Sequence, residues 1–118
     1  MKLALLGVCA AAAIVVFSAC NEPSGGNTCA SITGVPIDAK DNQTFDPTPV
    51  TVTPNQRACW QNLGSLTHSI TADDQFADSI DITLPPNYTY SKSWGTSGKD
   101  FHYHCRFHPG MTGLVQVR

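Results

Sequence analysis

The chain has 118 residues, of which 42% are hydrophobic and 14% charged, and its seven basic and nine acidic side chains give a formal net charge of −2. That length allows a single domain at most. The mild acidity, with no basic patch, argues against nucleic acid as a partner.

The first twenty residues, MKLALLGVCAAAAIVVFSAC, place Lys2 ahead of an unbroken apolar and small-residue run. This predicts a secretory leader over residues 1–19, too short for a comfortable membrane span. The ending FSAC resembles the lipobox of bacterial lipoprotein precursors, with Phe17 where leucine is more usual. The resemblance implies that Cys20 becomes the acylated first residue of an exported protein, lipid-anchored to a membrane in the periplasm or at the cell surface. An ordinary leader with an incidental cysteine is the alternative, and it too predicts export. Loss of Lys2 with the leader leaves six basic residues against nine acidic ones. Residues 20–28 then form the lipidated cysteine and a flexible tether, NEPSGGNT, rich in Pro, Ser and Gly.

From residue 29 to 118 no segment carries a sustained helical period of apolar residues. Short β-rich runs follow one another instead: PVTVTP, ACWQN, HSITA, SIDITLPP, YTYSKSW, FHYHC and GLVQVR. Turn compositions such as PNQ, NLGS, LPPN and GTSGKD separate them. About seven short strands with this punctuation predict an all-β domain, a two-sheet β-sandwich or small barrel. The acids Asp73, Asp74, Asp78 and Asp81 cluster in sequence. They read as solvated loop residues, with steering of a cationic partner as the other possibility.

An exported chain permits disulfides. Of the five cysteines, Cys9 leaves with the leader and Cys20 is assigned to the lipid, so Cys29, Cys59 and Cys105 remain. Three cannot all pair internally. A Cys29–Cys59 disulfide is expected, contributing on the order of 3–4 kcal/mol to a modest core, because neither has a histidine or second cysteine at metal-ligand spacing. Cys105 needs another role.

Its neighbours, DFHYHCRFHPGMTGLVQVR, suggest one. In a strand FHYHC, the pleat puts Phe101, Tyr103 and Cys105 on one face and His102 and His104 on the other. Two aromatics belong inside, so His102 and His104 are expected at the surface. Their alternative is an adventitious i, i+2 metal pair. Beyond Cys105, Pro109 and Gly110 favour a turn that folds His108 and Met111 back beside the cysteine. Thiolate, imidazole and thioether then come from one loop, Cys-x-x-His-x-x-Met. Two histidines, a thiolate and a weak axial methionine form a blue-copper arrangement, and His68, at the start of a strand, is the remaining histidine. Zinc is the rival metal, although a methionine at ligand spacing argues against a purpose-built zinc site.

These segments together resemble the cupredoxins of the plastocyanin and amicyanin group, from about Phe45 to Arg118. FDPTPVTVTPNQRACWQN is similar to that family's strand, turn and V-x-W-x-N segment, with Ala58 where valine is usual. HSIT resembles the segment carrying the first histidine ligand, with Thr67 before it where proline is frequent, and FHYHCRFHPGMTGLVQV resembles the C-terminal ligand loop and last strand. The resemblance implies a Greek-key sandwich of seven to eight strands over 29–118. It also implies one type 1 copper ion on His68, Cys105, His108 and Met111, with His108 as the electron port through an apolar patch. Pro36, Pro85, Pro86, Pro109 and Gly110 are candidates for that patch. Asn62, Ser69 and Gly110 are candidate supports of the site, or plain turn residues. Pro109 has no N–H to offer the Cys105 sulfur. The function expected is electron transfer between redox proteins by a monomer that is not an enzyme. Copper delivery or buffering is the alternative.

Overall fold

The computed structural model describes residues 28–118. The leader, Cys20 and all of the tether before Thr28 lie outside the described residues. A single 3-10 turn, Cys29–Ser31, leads into nine strands among the described residues. They are β1 (Gly34–Lys40), β2 (Thr44–Asp46), β3 (Val50–Val52), β4 (Arg57–Gln61), β5 (His68–Ala72), β6 (Asp81–Leu84), β7 (Thr89–Ser93), β8 (Lys99–His104) and β9 (Thr112–Val117). Each of the seven runs read from sequence is a strand. The two additional ones, β1 and β2, take the count past the expected seven to eight. β1 carries Gly34 and Pro36, which weaken a strand pattern, and β2 is only three residues long.

The strands form two sheets, β2-β1-β4-β7 and β3-β9-β8-β5-β6. Most pairs are antiparallel, but β1 runs parallel to β4 and β9 parallel to β3. The chain crosses from sheet to sheet between hairpins, as in a β-sandwich. Alternation drives the packing. In β8, Phe101 and Tyr103 are buried while His102 is exposed and His104 half-buried. β3 buries Val50 and Val52 and exposes Thr51. The inward residues meet around Trp60, whose ring lies 5.3 Å from that of Tyr103 and 6.2 Å from that of Phe101. Phe45 closes on Tyr103 at 4.8 Å. Opposite Tyr103 in the β8–β9 register stands Gly113, where a Cβ would overlap the tyrosine ring.

Cys29 and Cys59 are joined by a disulfide, with Cα atoms 5.7 Å apart. It ties the first described turn to β4, beside Trp60. Cys105 is a buried free thiol. No helix among the described residues is long and apolar enough to cross a membrane.

Candidate metal centre

Strand order explains how distant residues meet. β5 and β8 are antiparallel neighbours, with Thr71 opposite His104. The start of β5 therefore lies beside the end of β8, bringing His68 next to Cys105 across 37 residues of sequence.

Beyond β8 the chain turns sharply. The Cys105 N–H donates to the Met111 carbonyl at 2.9 Å, and the Met111 N–H donates to the His108 carbonyl at 3.1 Å. Gly110 sits at φ +86°, a left-handed conformation that costs a residue without a Cβ little. This fold-back presents His108 to Cys105 and buries Met111 in the core beneath the loop.

Three donor atoms converge. His68 Nδ1 lies 3.2 Å from His108 Nδ1, and Cys105 Sγ lies 3.4 Å from His108 Nδ1 and 4.0 Å from His68 Nδ1. Among the described residues this is the cluster of His, Cys, Asp and Glu side chains able to hold a metal ion. His68 and Cys105 are buried, and His108 is half-buried. Burial, and then the neighbouring His108, pull the His68 imidazole below its ordinary pKa, with Asp41 opposing. The neutral form that results is the one with a lone pair to offer a metal.

Backbone and side-chain bonds fix the donors in place. The Ser69 N–H donates to Cys105 Sγ at 3.3 Å, and Ser69 Oγ accepts the Arg106 N–H at 2.8 Å. Asn62, fully buried, donates to the carbonyls of Leu66 and Leu84 at 2.7 and 2.9 Å and accepts the Gly64 N–H at 3.0 Å. It thereby shapes the loop that delivers His68. Asp41 grips the same loop from outside, accepting the Ser65 N–H, the Ser65 hydroxyl and the Leu66 N–H at 2.8–3.2 Å. The Ser65 bonds, and then that of Leu66, hold its carboxyl below the ordinary value. A Cβ on Gly64 would collide with this carboxylate.

The structure matches solved amicyanins. The reduced state of a proline-to-phenylalanine amicyanin mutant aligns over 81% of this chain and 94% of that one, at 19% identity and a TM-score of 0.65. The oxidised form of a methionine-to-lysine amicyanin mutant gives the same coverage at 19% identity and 0.64. The Cu(I) form of a methionine-to-alanine mutant gives 20% and 0.62. The chain has the cupredoxin fold. No family model matches the sequence, and no curated protein does. With about one residue in five shared, the match establishes the fold, and the chemistry has to be argued from the side chains.

Those side chains fit the metal that the cupredoxin fold implies. His68 and His108 would each offer an imidazole nitrogen and Cys105 a thiolate, all within 4.8 Å of one another. Two histidines and a thiolate are a donor set that suits copper. The sites expected at His68, Cys105 and His108 thus converge. His102 and His104 stand apart, as the pleat requires, and His104 Nδ1 lies 2.5 Å from Asp73 Oδ1. The candidate supports Asn62 and Ser69 are both engaged.

The surface around the ligand loops is apolar in a way the sequence reading did not identify. Leu63 and Leu66 are exposed on the loop before His68, Tyr88 on the loop after β6, and Phe107 beside His108. Pro109 and Gly110 are exposed with them, and Pro85 and Pro86 are half-buried. Pro36 lines a depression next to the disulfide together with Leu63, Cys29 and Ile32. Leucines and aromatics at the ends of turn-rich runs were the missed signal.

Proposed function

We propose that this chain is an electron carrier whose cupredoxin domain would hold one type 1 copper ion on His68 Nδ1, Cys105 Sγ and His108 Nδ1, with the buried Met111 as the fourth, weak ligand. The observation that carries this reading is the convergence of those three donor atoms within 4.8 Å of one another. Bound there, copper supplies a one-electron Cu(II)/Cu(I) couple, with the soft sulfur donors favouring the reduced state.

The protein residues do the rest. His68 and Cys105 are sealed from water, and Asn62, Asp41 and Ser69 restrain the loops that carry them. Donors held this way move little when the charge of the site changes, which favours fast electron exchange. His108 is the ligand that reaches the surface, and the exposed Leu63, Leu66, Tyr88 and Phe107 around the ligand loops offer an apolar docking face. Electrons therefore enter and leave through the His108 ring edge, between redox proteins docked on that face. The chain is a monomeric carrier and not an enzyme. It is exported and lipid-anchored through Cys20 to a membrane in the periplasm or at the cell surface. The Cys29–Cys59 disulfide is in keeping with an oxidising compartment.

The test is repeated one-electron cycling of the copper-loaded protein in the presence of a strong copper chelator. Reversible cycling with the metal retained supports the carrier. Loss of copper to the chelator on reduction would point to delivery or buffering instead.

A further inference from the structure

The acids that cluster between Asp73 and Asp81 have separate tasks. Asp73 meets His104. Asp74 accepts the N–H groups of Phe76 and Ala77 at 3.0 and 3.2 Å. Asp78 pairs with Lys99 at 2.9 Å and accepts the Trp94 Nε1–H at 3.3 Å. Asp81 alone is wired to the metal-ligand loop. Its Oδ1 accepts the Thr71 hydroxyl at 2.9 Å and pairs with the Arg106 guanidinium, which also donates to Thr83 Oγ1 at 2.8 Å.

Counting protons gives this network a direction. A carboxylate only accepts, and a threonine hydroxyl has one proton to give. Thr71 gives it to Asp81, so in the 2.8 Å contact between Ser69 Oγ and Thr71 Oγ1 the donor is Ser69. The Ser69 oxygen is then left with lone pairs for the Arg106 N–H, while the Ser69 N–H goes to the Cys105 sulfur. The hydroxyl protons of Ser69 and Thr71 both point toward Asp81. The ring closes because Arg106 enters it twice, by its main-chain N–H and by its guanidinium.

We propose that Asp81 and Arg106 form a surface clasp that positions the Cys105 sulfur, with Thr71 and Ser69 as the link between them. Asp81 is the sink that orients both hydroxyls. Without it, the Ser69 proton can turn toward the Arg106 N–H, donor against donor, and the peptide that follows Cys105 loosens. An exposed ion pair adds little to global stability, so the effect belongs in the geometry of the sulfur. The consequence for a bound copper rests on the proposed function, since hydrogen bonding around the cysteine sulfur tunes the potential of such a site. The positioning itself does not depend on the metal.

The variants are Asp81→Ala, Thr71→Val and Thr71→Ser. On metal-free protein with the disulfide intact, the readouts are hydrogen exchange of the Arg106 amide and alkylation of Cys105 by iodoacetamide. Asp81→Ala and Thr71→Val should accelerate both about fivefold, as expected for loss of one net hydrogen bond. Thr71→Ser should restore the native rates. On copper-loaded protein, the same two variants should lower the reduction potential. Native exchange and alkylation rates in Asp81→Ala would overturn the clasp, as would Thr71→Ser behaving like Thr71→Val. Asp81 is exposed, so its variant keeps the test open if Thr71→Val does not fold. A native protein that takes no copper would sink the proposed function and leave the metal-free rates to decide the clasp.

Discussion

Replacing Asn62 with alanine probes the loop that delivers His68. The side chain is 0% exposed and makes three hydrogen bonds, two to carbonyls and one from an N–H. Removing it leaves three backbone groups without their partners. Leu66 and Gly64 lie on an exposed or half-exposed loop that water can reach, whereas Leu84 is buried at the end of β6. At about 1 kcal/mol for each of the two bonds that water replaces, and about 1–3 kcal/mol for the buried carbonyl left unsatisfied, the loss comes to about 3–5 kcal/mol. For a domain of about ninety residues, each kcal/mol lowers Tm by about 4–8 °C, so a fall of about 12–40 °C is expected. The assay is thermal unfolding of the metal-free protein followed by circular dichroism, with urea unfolding for the free energy. Thr67→Ala, at an exposed position of the same loop whose hydroxyl makes no hydrogen bond among the described residues, is the control and should change stability by about 0.5 kcal/mol or less. A loss below about 1 kcal/mol in Asn62→Ala would refute the idea that this amide organises the loop.

Three further outcomes are expected. Replacing Cys29 and Cys59 together with serine should lower stability by about 3–4 kcal/mol in equilibrium unfolding and leave metal binding intact, because the bridge lies at β4 and not among the ligand loops. Asp41 is held below its ordinary value of 3.8 by the Ser65 and Leu66 bonds, so its contribution is complete above that pH and vanishes as pH falls through its lower folded value. Stability measured between pH 5 and 2 should accordingly fall less steeply in Asp41→Ala than in the native chain. His102→Ala and His104→Ala should leave the visible spectrum of the copper-loaded protein unchanged, and loss of its intense band in either would refute the pleat assignment.

Much of this was readable from the sequence because the signals are local. Alternation in FHYHC separated Phe101, Tyr103 and Cys105 from His102 and His104, and the burial pattern follows it residue by residue. The turn at Pro109 and Gly110 likewise announced that His108 and Met111 return toward Cys105. The strands β1 and β2 were not legible, since Pro36 and the brevity of TFD mask their period. His68 was reached by elimination and by the resemblance of HSIT to a ligand segment: what places it beside Cys105 is the pairing of β5 with β8, which no local pattern encodes. Asn62 and Ser69 could be named as supports, but their partners depend on loops meeting in three dimensions. The link from Asp81 through Thr71 to Arg106 spans β5, β6 and the ligand loop, so nothing in the linear order marks it. The exposed leucines and aromatics on the loops were hidden for a related reason, because a lone Leu63 or Phe107 resembles any apolar residue until its exposure is known.

The most direct measurement is the visible absorption spectrum of the chain beginning after Cys20, titrated with Cu(II), beside the same spectrum for Cys105→Ser. Coordination by the Cys105 thiolate and two histidines predicts an intense blue colour that saturates at one equivalent, bleaches on reduction and is absent from the serine variant. A colourless copper complex, or a blue colour that survives Cys105→Ser, would contradict a copper centre built on His68, Cys105 and His108.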